Sequence, residues 1–221
     1  MNILAIDSAT EACSAALLRA DGSVFAEFEI APRRHALLLP EMVRRLLADA
    51  AMERREIDYC AFTNGPGAFT GIRIGAAQAQ GLGIGLGIPL VPLSTLAVLA
   101  QTAFDRHGWQ ATLAALDARM QEIYWGSYRR DETGCACLRG NEQLGSAEQL
   151  EAEGRPESGA GHGWLEALRA RADFPLDPDL LPDARAMLQL ARREIDRGGH
   201  CAAGEIRINY LRNRVAEKAR G

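Results

Sequence analysis

Eight of the 22 glycines in this 221-residue chain fall between positions 65 and 87, and no other feature restricts the fold more tightly. They follow an apolar run, Ile57 to Thr63, and open with Asn64-Gly65-Pro66-Gly67-Ala68-Phe69-Thr70-Gly71. A glycine loop between a strand and a helix can do one of two things. Its backbone N–H groups and the helix N-terminus can favour an anion, or its missing Cβ atoms can let another stretch of backbone come close. The phosphate-loop spacing fails, because Ile72 and Arg73 follow Gly71 where Lys and Ser/Thr belong, and the one lysine among 25 basic residues is Lys218. Gly71, Gly75, Gly81 and Gly85 recur at helical spacings, which strips side chains from one helix face. Close packing is therefore the preferred reading of these glycines.

Around the loop, strands and helices alternate. Residues 2–7 read as a buried strand ending at Asp7, and Ser8-Ala9-Thr10-Glu11 as a turn. Cys13 to Leu18 and Val24 to Ile30 form a meander through Asp21-Gly22. A helix is expected over 35–51, apolar at 39, 42, 43, 46, 47 and 50, with Pro40 in its first turns or at a kink. A fourth strand covers 57–63, and a helix that Thr70 can cap follows the loop. A short strand at Leu90-Val91 and a Ser94-capped helix to Arg106 complete β-β-β-α-β-α-β-α over residues 1–106. That order is the half-domain of the ribonuclease-H/actin-like (ASKHA) α/β fold. Residues 107–221 are expected to form a second half, smaller and degenerate. Its paired strands are Thr112–Asp117 and Glu122–Arg129, with Glu132-Thr133-Gly134 as their turn. Helical patterns follow at 146–153, 163–172 and 183–197, and an exposed Asp/Pro-rich loop covers 173–182.

Composition removes other classes. At 48 % hydrophobic and 24 % charged, the chain is neither disordered nor fibrous. Its net charge of −4 argues against a surface that binds nucleic acid as a whole, although Arg185 to Arg220 carries nine Arg/Lys against four Asp/Glu. That basic stretch is read as a solvated amphipathic tail, with tRNA phosphate contact as the alternative. The five cysteines are odd in number and lack a C-x-x-C, which suits a reducing compartment. Cys135 and Cys137 with His162, or with His200 and Cys201, make a poor tetrahedral set, so packed reduced thiols are expected. Ile74 to Phe104 has no charge, but two prolines and five glycines interrupt it, so no membrane span is expected. The start, Met1-Asn2-Ile3-Leu4, has no basic region and no long apolar one, and the chain reads as soluble and cytoplasmic.

Four segments then appear in a fixed order: Ile6-Asp7-Ser8-Ala9-Thr10-Glu11-Ala12-Cys13-Ser14, the loop from Gly65 to Gly75, Asp117-Ala118-Arg119-Met120 before Glu122-Ile123-Tyr124, and Tyr210-Leu211-Arg212-Asn213. Together, from position 3 to about 218, they resemble the bacterial TsaB (YeaZ) family of tRNA threonylcarbamoyladenosine biosynthesis proteins. The resemblance implies a role and not a reaction. TsaB-like proteins are inactive relatives of TsaD, which moves a threonylcarbamoyl group to the adenosine beside the anticodon of ANN-decoding tRNAs. They bind and stabilise TsaD, and the ATPase TsaE joins the pair. TsaC supplies the threonylcarbamoyl-adenylate. The family pairs through its first two helices, with TsaD or, when alone, with a second copy.

The residues fit that role. A metal-dependent member would carry H-x-x-x-H on the first helix, but His35 is followed at i+4 by Leu39, so no metal is expected and His35 is read as an exposed or capping side chain. The first helix is apolar around more than one stripe, so part of it is expected to meet a partner. The expected interface residues are Leu38, Leu39, Met42, Arg45 and Leu46, with Gly71, Gly75 and Gln78 of the second helix. No cofactor of its own is expected, with ADP or ATP at the partner interface left open and tRNA touched only indirectly. The competing reading is a nucleotide-binding hydrolase or phosphotransferase of the actin-like class, contacting nucleotide through Asp7, Thr10, Gly67 and Thr70. Nothing recognisable as a peptidase arrangement is present.

Overall fold

The structure, a computed structural model, describes residues 1–211. Arg212 and Asn213 of the last motif, and Arg214, Lys218 and Arg220 of the basic stretch, lie outside the described residues.

Strands β1 (Ile3–Asp7), β2 (Ala12–Leu18) and β3 (Val24–Ile30) form the expected meander, and helix α1 (His35–Asp49) leads to β4 (Tyr59–Gly65). Helix α2 (Phe69–Leu86), β5 (Leu90–Ser94) and α3 (Thr95–His107) follow. The first sheet runs β3-β2-β1-β4-β5, antiparallel through β3-β2-β1 and parallel through β1-β4-β5. The second half holds β6 (Ala111–Arg119), β7 (Glu122–Arg130), β8 (Ala136–Ser146), α4 (Ala147–Ala152), β9 (Gly159–Ala160), α5 (Glu166–Arg169), β10 (Leu176–Asp177) and α6 (Ala184–Asp196). Its sheet runs β10-β9-β6-β7-β8, so the order and strand directions of the first sheet recur in reduced form. Two such halves make the ribonuclease-H/actin-like fold.

Each half lends its last helix to the other. Helix α3 packs chiefly on β6, β7 and β8, while α6 packs chiefly on β1 and β2. The two lie side by side between the sheets, in a core built from Ile3, Val91, Leu99, Phe104, Tyr128 and Met187. Helices α1 and α2 cover the outer face of the first sheet over Leu4, Ile6, Leu17 and Phe62. Trp164 and Leu168 close the outer face of the second over Leu113 and Trp125. No helix among the described residues is long and apolar enough to cross a membrane.

Local chemistry explains most boundaries. Ser94 caps α3 by accepting from the N–H groups of Leu96 and Ala97, and Asp183 caps α6 by accepting from Arg185. Pro40 sits inside α1, where the carbonyl it leaves without a donor belongs to the exposed residue Ala36. Helix α2 starts at Phe69 with Ala68 as its uncapped N-cap, so Thr70 lies within the first turn and is not the cap.

Three expectations change in the second half. Strand β8 was not legible, because its sequence, Ala-Cys-Leu-Arg-Gly-Asn-Glu-Gln-Leu-Gly-Ser, is polar and largely exposed along a sheet edge. The β6–β7 turn is Arg119-Met120-Gln121, all at positive φ without a glycine, while Glu132-Thr133-Gly134 turns β7 into β8. The helix expected at 163–172 is reduced to the single turn α5.

Candidate functional site

A cleft of about 760 Å³ opens between the two halves. The β1–β2 turn and the glycine loop form one wall, and Asp117, Arg119, Tyr124 and His162 form the other. Of the four residues expected to contact a nucleotide, Thr10, Gly67 and Thr70 line this cleft and Asp7 does not. Asp7 is fully buried at the end of β1. One carboxylate oxygen accepts from Thr63 Oγ1 at 2.5 Å and from the Ala9 N–H at 3.1 Å, while the other has no hydrogen-bond partner among the described residues. Burial pushes its pKa up from 3.8 to about 6, with a smaller contribution from the nearby negative charge of Asp183.

The turn beside Asp7 is closed on the glycine loop. Ser8 Oγ donates to the Gly71 carbonyl at 2.9 Å, and the Ala68 N–H donates to the Ala9 carbonyl at 2.7 Å. A Cβ at Gly67 would overlap the Ala9 carbonyl, and one at Gly71 the Ser8 carbonyl. A backbone does approach these glycines closely, and it is the chain's own β1–β2 turn. Thr10 Oγ1 is occupied in accepting from the Ala12 N–H at 3.2 Å. Residues 207–210 cross the start of the loop. The Asn209 N–H donates to the Asn64 carbonyl at 2.7 Å, and the ring of Tyr210 lies 6.4 Å from that of Phe69, with Arg73 over both.

On the far wall, His162 Nδ1 accepts from the Asp117 N–H at 2.9 Å, and its Nε2 reaches Glu11 of the opposite half at 3.7 Å. Burial lowers the His162 pKa, against the raising effect of Glu11 and Asp117, and because Nδ1 accepts the Asp117 N–H, the neutral ring carries its proton on Nε2. Sequence reasoning missed this pairing across the cleft, since residues 11 and 162 share no motif or period.

The described residues do not fit a bound metal. His35 is buried, contrary to expectation, and its Nε2 lies 3.1 Å from the Ala12 carbonyl, to which it donates. Leu39, one turn on, is wholly buried. Cys135 Sγ faces the Gln189 carbonyl, and the His200 ring stacks edge-on with Tyr59, so the cysteines and histidines do not converge. No cluster of three ligating side chains occurs among the described residues.

The expected interface needs correcting. Leu39, Met42 and Leu46 are buried under α1 in the protein's own core, where no partner reaches them. Gly71 and Gly75 pack against Ser8. Arg45 forms a two-pronged ion pair with Glu27 of β3 and lies 3.6 Å from Glu41. Leu38 and Gln78 are half-buried at the margin. The outward surface of the two helices is formed by other residues: Leu37, 78 % exposed, on α1, and, sharing one face of α2, Ala77, Gly81, Ile84 and Gly85, where Ile84 is 71 % exposed. A Cβ at Gly81 or Gly85 would meet nothing within 4 Å.

Residues 28–160 match the family model described as TsaD, tRNA N6-adenosine threonylcarbamoyltransferase. The chain is 39 % identical to the tRNA threonylcarbamoyladenosine biosynthesis protein TsaB of Escherichia coli, over 99 % of this chain and 97 % of that one. It is 35 % identical to the TsaB of Haemophilus influenzae, over 99 % and 96 %. Among solved structures, YeaZ from Pseudomonas aeruginosa aligns at a TM-score of 0.85 with 38 % identity, covering 95 % of this chain and 99 % of that one. A Pseudomonas aeruginosa protein described as similar to the peptidase YEAZ aligns at 0.88 with 40 % identity, over 96 % and 99 %. The chain thus belongs to the TsaB (YeaZ) family of tRNA threonylcarbamoyladenosine biosynthesis proteins.

Proposed function

We propose that this chain is a non-catalytic, cytoplasmic subunit that binds and stabilises a TsaD protein and helps recruit TsaE for threonylcarbamoyl transfer to tRNA. The observation that carries this reading is the outward surface of the first two helices, Leu37 on α1 and the Ala77–Gly81–Ile84–Gly85 face of α2. It is apolar and smooth, it lies on the first two helices, and the core already satisfied beneath it does not need it. Side-chain-free positions let a partner helix approach to the short end of the usual 8–10 Å. The self-closed Asp7 turn, and a first helix with leucine where a second metal ligand would stand, support a role without chemistry of its own.

The test is reconstitution. TsaC, TsaD and TsaE with tRNA, threonine, bicarbonate and ATP should modify tRNA only when this chain is added. Full modification in its absence would remove the proposal. The cleft, with Thr10, Gly67 and Thr70 on its wall, favours one rival, a nucleotide hydrolase or phosphotransferase. Calorimetry of the isolated chain with ATP and Mg²⁺ separates the two. No binding heat is expected, because ADP or ATP would be held only once the partner completes the site.

A further inference from the structure

A groove of about 530 Å³ lies beside the outermost strand of the first sheet, β3. Phe28 and Ile30 of that strand line it, 44 % and 64 % exposed, together with the buried Leu180 and Leu181. The backbone of β3 is open at the same place. Arg19 N–H donates to the Ser23 carbonyl, and Ala31 N–H to the Glu11 carbonyl. Antiparallel alternation then turns the odd residues of β3 toward β2 and leaves the N–H and C=O groups of Val24, Ala26, Phe28 and Ile30 facing out. Among the described residues, no strand takes them up. The strand has no proline, lysine or bulge to guard this edge, and its two acids are already held: Arg45 pairs with Glu27, and Arg34 lies 3.1 Å from Glu29. Charge in the groove is satisfied on one side only. Asp105 lies 3.4 Å from Arg130, Asp179 lies 3.8 Å from Arg169, and Asp183 caps α6. Arg106 and Arg185, both exposed, have no carboxylate partner among the described residues. Two uncommitted guanidinium groups beside an apolar wall are a site for carboxylates carried on an apolar chain.

We propose that this edge and groove receive an extended segment of another protein, apolar with flanking acidic residues, as an added strand beside β3. The outward backbone groups of β3 supply binding that any extended chain can use, and the groove selects the sequence. Every second side chain of the added strand faces the groove. Those that meet Phe28, Ile30, Leu180 and Leu181 are apolar, and those that reach Arg106 and Arg185 are Asp or Glu. Helix α6 brings its charge to the right level. The Ala184 N–H donates to Ser14 Oγ at 2.9 Å, and Ser14 stands opposite Phe28, so the first turn of α6, with Arg185, lies level with the apolar end of β3. A basic segment is rejected, because its charges would face the two guanidinium groups. The remaining side chains of the added strand point to the α1 side, where Glu27 and Glu29 are already paired, and are less restricted. This surface is separate from the α1–α2 surface proposed for TsaD, and the inference does not rest on that pairing.

The full chain is titrated against two fluorescently labelled peptides, and binding is read by anisotropy. The first is Glu-Thr-Val-Thr-Val-Thr-Val-Thr-Glu, which puts its valines and glutamates on one face in either strand direction. The second carries lysine in place of both glutamates. The acidic peptide is expected to bind saturably at micromolar concentrations, and the basic one about tenfold more weakly or worse. Ala26→Pro removes one outward N–H and leaves the ladder to β2 intact, so it is expected to abolish binding with an unchanged far-ultraviolet spectrum. Arg106→Gln combined with Arg185→Gln is expected to erase the preference for the acidic peptide, a change that a loss of fold would not produce. Ile84→Asp, on the α1–α2 surface, is expected to leave both affinities unchanged, so failure here and failure of TsaD pairing are read separately. No saturable binding of the acidic peptide, equal binding of the two peptides, or binding that survives Ala26→Pro would overturn the proposal. So would binding that fades as the chain is concentrated, which would assign the edge to a second copy. Should Ala26→Pro fail to fold, the double glutamine variant decides alone.

Discussion

Ionising Asp7 works against the fold it sits in. Its carboxyl is neutral-favouring at about 6, against 3.8 when unfolded, so the folded chain holds the proton more tightly. The stability tied to that proton is complete below about pH 4 and is lost as pH rises through 6. Roughly two pKa units correspond to about 3 kcal/mol. Asp7→Asn should therefore raise the urea midpoint at pH 7.5 and flatten its change between pH 4 and 6. An unchanged slope over that window would show that another group sets it. Gly71→Ala should act in the opposite direction, costing about 2 kcal/mol or more, because its methyl group overlaps the Ser8 carbonyl and a backbone atom cannot be repacked cheaply. Thermal denaturation of the isolated chain measures it. The sequence pointed to both positions, through the apolar strand ending in a lone acid and through the glycine spacing. It could not show that the turn after Asp7 closes on Gly71 through Ser8, since that contact joins residues more than sixty positions apart in the chain.

At the scale of elements, helix α1 shows how far periodicity carries. The spacing of its leucines locates the helix, but its excess of apolar positions reads as a second, exposed face. The structure instead uses Leu39, Met42, Val43, Leu46 and Leu47 against a sheet and against α2, leaving Leu37 outside. A helix wedged between a sheet and a neighbouring helix buries a wider arc than one lying on a sheet alone. If the proposed pairing with TsaD holds, Ile84→Asp and Leu37→Asp should each weaken it about tenfold or more while leaving the melting temperature nearly unchanged. Met42→Asp should unfold the chain first, because it buries an unpaired charge at a cost of about 4 kcal/mol or more. Binding calorimetry paired with circular dichroism distinguishes the two outcomes. Strand β8 and the Arg119–Gln121 turn escaped sequence reading for opposite reasons. The strand is a polar edge with weak alternation, and the turn adopts left-handed backbone without the glycine or asparagine that announces it.

For the molecule as a whole, the two sheets follow one plan with unequal material, and the plan was legible in the first half because its central strands are apolar and all five span at least five residues. Strands β9 and β10, of two residues each, leave no period to read. The halves are nonetheless not independent, because α3 and α6 are exchanged between the sheets. A fragment of residues 1–106 should be unfolded or aggregated, since β1 and β2 would lose α6 and α3 would lose β6 to β8. A cooperative melt from that fragment would contradict the exchange.

That exchange also sets a timetable for synthesis. The first sheet is complete in sequence at Ser94, but the helix that covers its inner face begins only at Ala184. At ribosomal speeds of about 5–20 residues per second, the nascent chain spends on the order of 10 s with Ile3, Ala5 and Ala16 uncovered. Early contact with a ribosome-associated chaperone, and aggregation when translation stalls between residues 95 and 183, are what this wiring predicts for the newborn protein.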